Sequence, residues 1–333
     1  MKTFLMIIFS SLVIQTFGQS FTNEISKEVN NIVDSIIAFK TFTGEKIGLL
    51  HYTSPQYKNF EKFEKLASTK ELSILLNHPN GIIRCYSFWA ISNRDSIDIF
   101  DILKKHISDN ELIKTLHFDM FGVELVSDIF INIATDDYPA KGGYKLNDYQ
   151  LNILDSLLLY RQNIHTWHKN KLLERIKPNE KHYERIKEIA YKEENVDGLV
   201  ALAKYQKDID KELIKSYIFS RKNLYHTLLA IREFPDQEFY PFLIQIHDEQ
   251  IQKGSIQEPI LEILYQALAR FPNENTLHVM NDAIKNTHFY TRKVHKKYIL
   301  LAIRKYPNNK FSDLEKKIRL PKYWIKEIEI NNE

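Results

Sequence analysis

A short pattern recurs four times in the second half of the chain, and it constrains the fold more than any other feature. The copies read VALAKY at 200–205, LAIREF at 229–234, QALARF at 266–271 and LAIRKY at 301–306. In the last three copies the aromatic residue is followed by proline and then by aspartate or asparagine. A residue before proline is driven out of the helical region, so a helix ends there. The short Asp or Asn side chain can then cap the next helix, and each copy predicts helix, tight turn, helix.

The third copy displays the helical period most clearly. Ile260, Leu264, Ala267, Leu268 and Phe271 fall at i, i+4, i+7, i+8 and i+11, which is one face of a helix. The alanine is small enough to let two helices approach closely. One helix pair cannot bury such a face alone, whereas stacked copies can. The chain has only 9 Gly and 10 Pro in 333 residues, and this scarcity of turns argues against a β-sandwich or a barrel.

A related unit occurs in the first half of the chain. The letters NHPNG at 77–81 predict a turn, and an apolar helix follows over 82–91. The polar residues 92–95 then end that helix, and a second apolar stretch begins after them.

The order of residues in this unit resembles the HEAT-repeat pattern. Asn-His-Pro-Asn is followed by two apolar residues, by Arg84 and later by Ala90-Ile91. The resemblance covers about residues 60–105 and 195–318. The chain is similar to the HEAT-like proteins that bacteria export. The resemblance implies an all-α fold, a right-handed α-solenoid of stacked antiparallel helix pairs. The array is expected to be irregular, because the position of Arg84 is occupied in later copies by Asn195, Leu224, Leu261 and Lys296.

The first 18 residues have the features of a secretory signal peptide. Lys2 supplies a positive start, residues 4–14 are mainly apolar, and Thr16-Phe17-Gly18 places small residues at a cleavage site. The apolar run is shorter than the roughly 20 residues that a membrane span needs. We therefore expect cleavage after Gly18 and export to the periplasm or the medium of a bacterium.

The remaining segments are less regular. Breaks in the helical pattern near 41–56 and 135–144 predict loops, and residues 106–195 are expected to be helical but out of register with the repeats. The predicted organisation is a signal peptide at 1–18, a helix and loop at 19–56, HEAT-like units at 57–134, an irregular helical middle at 135–194 and C-terminal HEAT-like repeats at 195–333.

Charge is concentrated near the C-terminus. Residues 285–326 contain 13 Lys or Arg and only two acidic residues, which gives this stretch a net charge of +11, whereas the whole chain carries only +3. A basic end attracts anionic partners. It is also compatible with a solvated end of the repeat array whose aromatic residues pack into the core. The residues predicted to bind a partner are Arg292, Lys293, Lys296, Lys297, Arg304 and Lys305.

Few residues point to catalysis or to metal binding. His165 and His168 are one helical turn apart, with His182 and Glu184 further along, but this spacing is not a known zinc pattern. The single cysteine, Cys85, lies in an apolar helix and is expected to be a core thiol. No phosphate-binding loop, nucleophile elbow or zinc-protease motif is present, so no cofactor is predicted.

These features lead to two functional hypotheses. The first is an exported, non-enzymatic interaction scaffold that binds a protein or an anionic polymer on its helical surface. The export signal argues against nucleic acid as the partner. The second is an envelope enzyme whose site lies in the irregular middle, at 135–185.

Overall fold

The computed structural model describes residues 24–94, 97–135, 144–220, 223–253 and 257–330. This part of the chain is mostly helical and contains one small sheet. The chain divides into two compact units, Met1–Lys169 and Asn170–Glu333. The predicted signal peptide at 1–18 lies outside the described residues, as do residues 136–143 of the predicted loop. No helix within the described ranges is both long and apolar enough to cross a bilayer.

The first unit contains seven helices in its described part, and an eighth crosses into the second unit: α1 (Lys27–Phe39), α2 (Pro55–Leu66), α3 (Thr69–Leu75), α4 (Gly81–Ser92), α5 (Ile99–His106), α6 (Val126–Thr135), α7 (Asp148–Tyr160) and α8 (Trp167–Arg175). The turn and the helix predicted at 77–91 are confirmed. Asn80 begins α4 by accepting a hydrogen bond from the N–H of Ile82. Every residue of α4 is buried, which makes it the central helix of this unit.

A four-stranded sheet belongs to the same unit. Its strands are β1 (Phe42–Ile47), β2 (Tyr52–Thr53), β3 (Leu112–Phe118) and β4 (Met120–Leu125), in the spatial order β2-β1-β3-β4. The β1–β3 pair is parallel, and the other two pairs are antiparallel.

The sheet corrects two predictions made from the sequence. The segment near 41–56 is not simply a loop, because it contains β1 and β2. The prediction of a helical 106–195 is wrong at 112–125, where β3 and β4 form a tight hairpin. Isoleucine, threonine, phenylalanine and valine favour strands, and Gly122 weakens a helix. Residues 112–125 therefore favour strand, although the segments on either side favour helix. The all-α description therefore applies to most of the chain but not to these segments.

The side chain of Tyr86 anchors the sheet to α4. Its hydroxyl accepts a hydrogen bond from the N–H of Thr43 and donates one to the carbonyl of the same residue, both at 3.0 Å. The Tyr86 ring stacks on Phe60 of α2, and the Phe60 ring also stacks on Trp89 of α4. The core of the first unit therefore lies between the helices and β1.

Arg84 fixes the loop that precedes β3. Its guanidinium donates to both carboxylate oxygens of Asp109, at 2.7 and 2.9 Å, and to Glu111 at 2.6 Å. It also donates to the carbonyl oxygens of His78 and Pro79, at the turn before α4. A fork-shaped cation thus joins the start of α4 to the entrance of β3.

The second unit is helical throughout its described part. Its helices are α9 (Glu180–Tyr191), α10 (Val196–Ala203), α11 (Lys211–Ser220), α12 (Leu224–Glu233), α13 (Tyr240–Lys253), α14 (Glu258–Ala269), α15 (Glu274–Asn286), α16 (Phe289–Lys305), α17 (Ser312–Lys317) and α18 (Lys322–Ile330), with short 3₁₀ helices at Asp208–Asp210, Gln237–Phe239 and Asn309–Phe311. Helix α9 lies within residues 106–195, which the sequence predicts to be helical.

These helices pack in a regular order. Helix α10 packs on α12, α12 on α14, and α14 on α16. The intervening helices α11, α13 and α15 each pack on the helix that follows them. One apolar core runs through this series, and the alanines of the recurring pattern, Ala230, Ala267 and Ala302, are completely buried in it.

The turns of the recurring pattern form as predicted. Asn273 accepts a hydrogen bond from the N–H of Thr276 and caps α15. Asp236 and Asn308 cap the short 3₁₀ helices that follow α12 and α16. The residue after each proline therefore starts the next helical segment, because its side chain satisfies a free backbone N–H.

Candidate anion-binding cleft

The C-terminal ends of three helices meet on one side of the second unit. Helices α12, α14 and α16 each end within the recurring sequence pattern, at residues 229–234, 266–271 and 301–306. The guanidinium of Arg232 donates to Oε1 of Gln266 at 2.8 Å, which links α12 to α14. The guanidinium carbon of Arg270 lies 5.1 Å from the centroid of the Tyr306 ring, which links α14 to the end of α16.

Arg270 has unused hydrogen-bonding capacity at this place. Its Nε–H is shielded from solvent and, among the residues described by the structure, has no hydrogen-bond partner. The contact with the Tyr306 ring restrains the guanidinium without satisfying that donor. A buried donor without a partner is costly, so an acceptor that reached it would gain a full hydrogen bond.

Lys305, at the end of α16, supplies a second cation. Partial desolvation of its ammonium lowers the pKa of Lys305, and the charge of Arg232 acts in the same direction. Glu262 and Glu233 oppose this shift, but neither forms an ion pair with Lys305 within the described structure. An anion placed beside this ammonium would relieve the repulsion and raise the pKa again.

The nearby acidic groups are engaged elsewhere. Glu233 accepts hydrogen bonds from Arg232 at 2.7 and 3.0 Å, and Glu262 accepts one from Gln266 at 3.0 Å. Arg232 is therefore neutralised within its own helix end. The charges on Arg270 and Lys305 have no such direct neutralisation among the described residues.

A cleft of about 280 Å³ opens between these two cations. Its walls come from the end of α14 and the turn after α16, namely Ala269, Arg270, Pro272, Lys305, Tyr306, Pro307 and Asn308. Pockets for whole small molecules are usually about 300 to 1,000 Å³. This cleft therefore has room for a single anionic group, such as one carboxylate side chain or one phosphate.

The structure does not bring all six predicted partner-binding residues together. All six lie on α16, but 12 residues separate Lys293 from Lys305, a rise of about 18 Å along the helix. Arg292 donates to the carbonyl of Thr287, and Lys297 forms an ion pair with Glu327 at 2.8 Å. These residues belong to the N-terminal half of the helix, where Lys293 is exposed and Lys296 is half-buried.

At the other end of α16, two adjacent residues differ in role. Arg304 pairs with Glu315 of α17 at 3.0 Å, whereas Lys305 faces the cleft. Successive residues on a helix point about 100° apart. Arg304 therefore reaches Glu315, whereas Lys305, one position later, does not. Of the six predicted residues, only Lys305 lines the cleft.

Sequence reasoning missed Arg270. The signal was present, because the position before the aromatic residue of the pattern holds Lys204, Glu233, Arg270 and Lys305 in the four copies. Aligning the four copies shows that Arg270 and Lys305 occupy the same position in successive repeats. Lys204 at the same position has a different task, since its ammonium donates to the carbonyls of Leu173, Glu174 and Ile176 at the end of α8.

The other sequence candidates are placed as follows. His165 is exposed, whereas His168 is buried and its Nε2 lies 2.8 Å from Oδ1 of Asn132, so the two imidazoles do not share one environment. Within the described ranges no group of three or more His, Cys, Asp or Glu residues is arranged to hold a metal ion. Cys85 is a buried core thiol as expected, and its burial raises the pKa well above the usual range for cysteine.

The chain was compared with protein-family models, with curated proteins and with solved structures, and none of the three comparisons gives a match.

Proposed function

We propose that this protein is an exported, non-enzymatic interaction scaffold that binds an anionic partner in the cleft between Arg270 and Lys305. The observation that carries the proposal is the pairing of two cations that lack direct neutralisation among the described residues. One has an unsatisfied buried donor, and the other has a lowered pKa. The cleft between them has the size of one acidic group. An acidic segment of a partner protein, with a glutamate or aspartate inserted here, fits these dimensions.

We further propose that the second unit is an irregular HEAT-like array of stacked helix pairs. Two observations support this reading. The helices at the recurring pattern pack in sequence order, α10 to α12 to α14 to α16, and each pair is separated by a helix that packs beside it. The resemblance of the sequence pattern to HEAT repeats points the same way. Stacked repeats form extended surfaces on which such arrays bind their partners.

Export is part of the same proposal and rests on the sequence features of residues 1–18. A periplasmic or extracellular location would give the cleft access to acidic proteins and acidic polymers of the envelope. It would also keep the protein away from nucleic acid.

The test uses immobilised poly-L-glutamate and the purified protein at about 50 mM and about 500 mM salt. The Debye length falls from about 14 Å to about 4 Å over this range, so a charge-driven complex should dissociate. We expect the Arg270→Gln, Lys305→Gln double variant to bind at least tenfold more weakly than the unaltered protein. Melting temperatures of both proteins will show that the variant is folded.

A matched control separates the cleft from bulk charge. The Lys310→Gln, Lys322→Gln double variant removes the same two charges from exposed positions of the same basic segment. It should retain the affinity of the unaltered protein. Equal weakening of both variants would show that the basic segment acts only through its total charge, and absence of binding at low salt would refute the proposal. A column of polyphosphate run in parallel will show whether phosphate replaces carboxylate as the preferred group.

A further inference from the structure

The β3–β4 hairpin of the first unit exposes an apolar face. Side chains directly opposite in an antiparallel pair lie on the same face. The pairs Leu116–Phe121 and Lys114–Val123 therefore share one face. Leu112 lies on the same face, because alternate residues of a strand point the same way. We call this the outer face. Phe121 is 81% exposed and Val123 is 61% exposed. Soluble proteins rarely leave such residues uncovered in a continuous patch.

The strand β4 also has a free edge within the described sheet. The strand order β2-β1-β3-β4 places it at the end. The N–H of Val126, directly after β4, donates to the carbonyl of Glu111 at 3.0 Å, toward β3. Because backbone groups alternate along a strand, those of Phe121 and Val123 point away from β3. The edges of natural sheets are usually protected by lysine, proline or a bulge, and the sequence MFGVEL of β4 has none of these.

We propose that this edge pairs with the β4 edge of a second copy of the chain, antiparallel and with Gly122 opposite Gly122 of that copy. In this register Phe121 lies opposite Val123 of the second copy, and the same pair forms again by symmetry. The N–H of each of these residues donates to the carbonyl of the other, which gives four hydrogen bonds across the two-fold axis. The two sheets then become one of eight strands, and Phe121 and Val123 of both copies lie together on its outer face.

The strand is complementary to itself in this register. Each interchain pair on the outer face joins an aromatic to a β-branched residue, a favourable cross-strand combination. Glu124, the one charged residue of β4, faces Met120 of the second copy and not another acid. A register centred on Val123 would require the backbone of Leu125, which directly precedes α6 and whose carbonyl belongs to the first helical turn.

The first test is sedimentation equilibrium of the purified protein over a range of micromolar concentrations. We expect a reversible dimer, and Val123→Lys should weaken it at least tenfold because the charge would enter the pairing edge. Leu112→Lys is the matched control. Leu112 is 63% exposed on the same outer face, but it lies in the interior strand β3. The control should dimerise like the unaltered protein.

The second test fixes the register. Phe121→Cys and Val123→Cys chains are oxidised separately and as a mixture. The mixture should form a disulfide-linked dimer much faster than either variant alone, because residues 121 and 123 would be about 5.5 Å apart between Cα atoms, within disulfide range. Cys85 will not compete, because it is buried.

Three results would overturn the proposal. The first is a monomer at all concentrations, and the second is a dimer that Val123→Lys leaves intact. The third is a monomer that binds vesicles of phosphatidylethanolamine and phosphatidylglycerol through Val123, since the apolar face would then be covered by lipid. None of these outcomes depends on the cleft at Arg270, so the two proposals fail or succeed separately.

Discussion

The hydroxyl oxygen of Tyr265 and Nδ1 of His295 lie 2.7 Å apart in the core of the second unit. Both residues are buried. Burial lowers the pKa of His295 to about 4, and the neighbouring His247 acts in the same direction. The imidazole is therefore neutral in the folded protein over the whole physiological range, and protonation must work against the fold.

This pair predicts loss of stability on acidification. An unfolded histidine has a pKa near 6.5, so the unfolded chain takes up the proton first as the pH falls. The contribution of His295 is complete above about pH 7 and decreases by roughly 3 kcal/mol by pH 4. Urea denaturation at pH 7.5 and pH 4.5 measures it. The stability of His295→Gln should fall less between these values than that of the unaltered protein, whereas exposed His278→Gln should behave like the unaltered protein.

The Arg84 cluster predicts a large effect of one substitution in the first unit. Arg84→Met removes the donor to Asp109 and Glu111 and leaves two carboxylates beside each other. Because the guanidinium is mostly buried, the free energy of unfolding should fall by about 3 kcal/mol. Chemical denaturation followed by circular dichroism measures this change.

The control for Arg84 is Lys105→Met, which removes a surface ion pair with Asp101 and should leave stability almost unchanged. A loss in Arg84→Met no greater than that of the control would show that the network adds little. Arg84→Lys keeps the charge but not the fork, and an intermediate loss is expected.

A close approach of two helices predicts a cost for a single methyl group. A Cβ on Gly198 of α10 would lie 2.8 Å from Cγ2 of Ile189 and 3.2 Å from the backbone nitrogen of Ala190 in α9. Alanine is the better helix former by about 1 kcal/mol, but the contact with α9 should outweigh this gain. We expect Gly198→Ala to lower the melting temperature. In a protein that already carries Ile189→Ala, Gly198→Ala should lower the melting temperature less than it does in the unaltered protein. Additive effects of the two substitutions would contradict the steric explanation.

The cap of α15 predicts a smaller and local effect. Oδ1 of Asn273 accepts hydrogen bonds from the N–H of Thr276 at 2.8 Å and from the hydroxyl of Tyr240 at 3.2 Å. Asn273→Ala should cost about 1 kcal/mol of unfolding free energy. Asn275→Ala, an exposed change within the same helix, should be neutral or slightly stabilising. Equal effects of the two substitutions would show that the cap is not what stabilises this turn.

The turns of the second unit were predictable because their causes are local. Proline ends the helix before it, and Asp236, Asn273 or Asn308 starts the next segment within two residues. The buried alanines Ala267 and Ala302 were likewise predictable, since small size and helical period appear directly in the sequence.

Other features depend on residues that are distant in sequence. The hairpin at β3 and β4 lies among helical patterns, and its place in the sheet depends on pairing with β1, a strand that is distant in sequence. The cleft joins Arg270 to Lys305, 35 positions apart, and its chemistry depends on Arg304 pairing with Glu315 and not facing the cleft. The excess of basic residues at 285–326 is visible in the sequence. Which of these side chains form ion pairs depends on tertiary contacts.

The parallel pairing of β1 with β3 also has a consequence for the order of folding. Phe42 lies beside Thr115, about 70 positions later, so the chain must close a long loop before this contact forms. Packing in the second unit runs mainly between each helix and the next few along the chain. Contacts between near neighbours form faster than contacts that close long loops. The first unit is synthesised before the second, yet it should be the later of the two to complete its native structure.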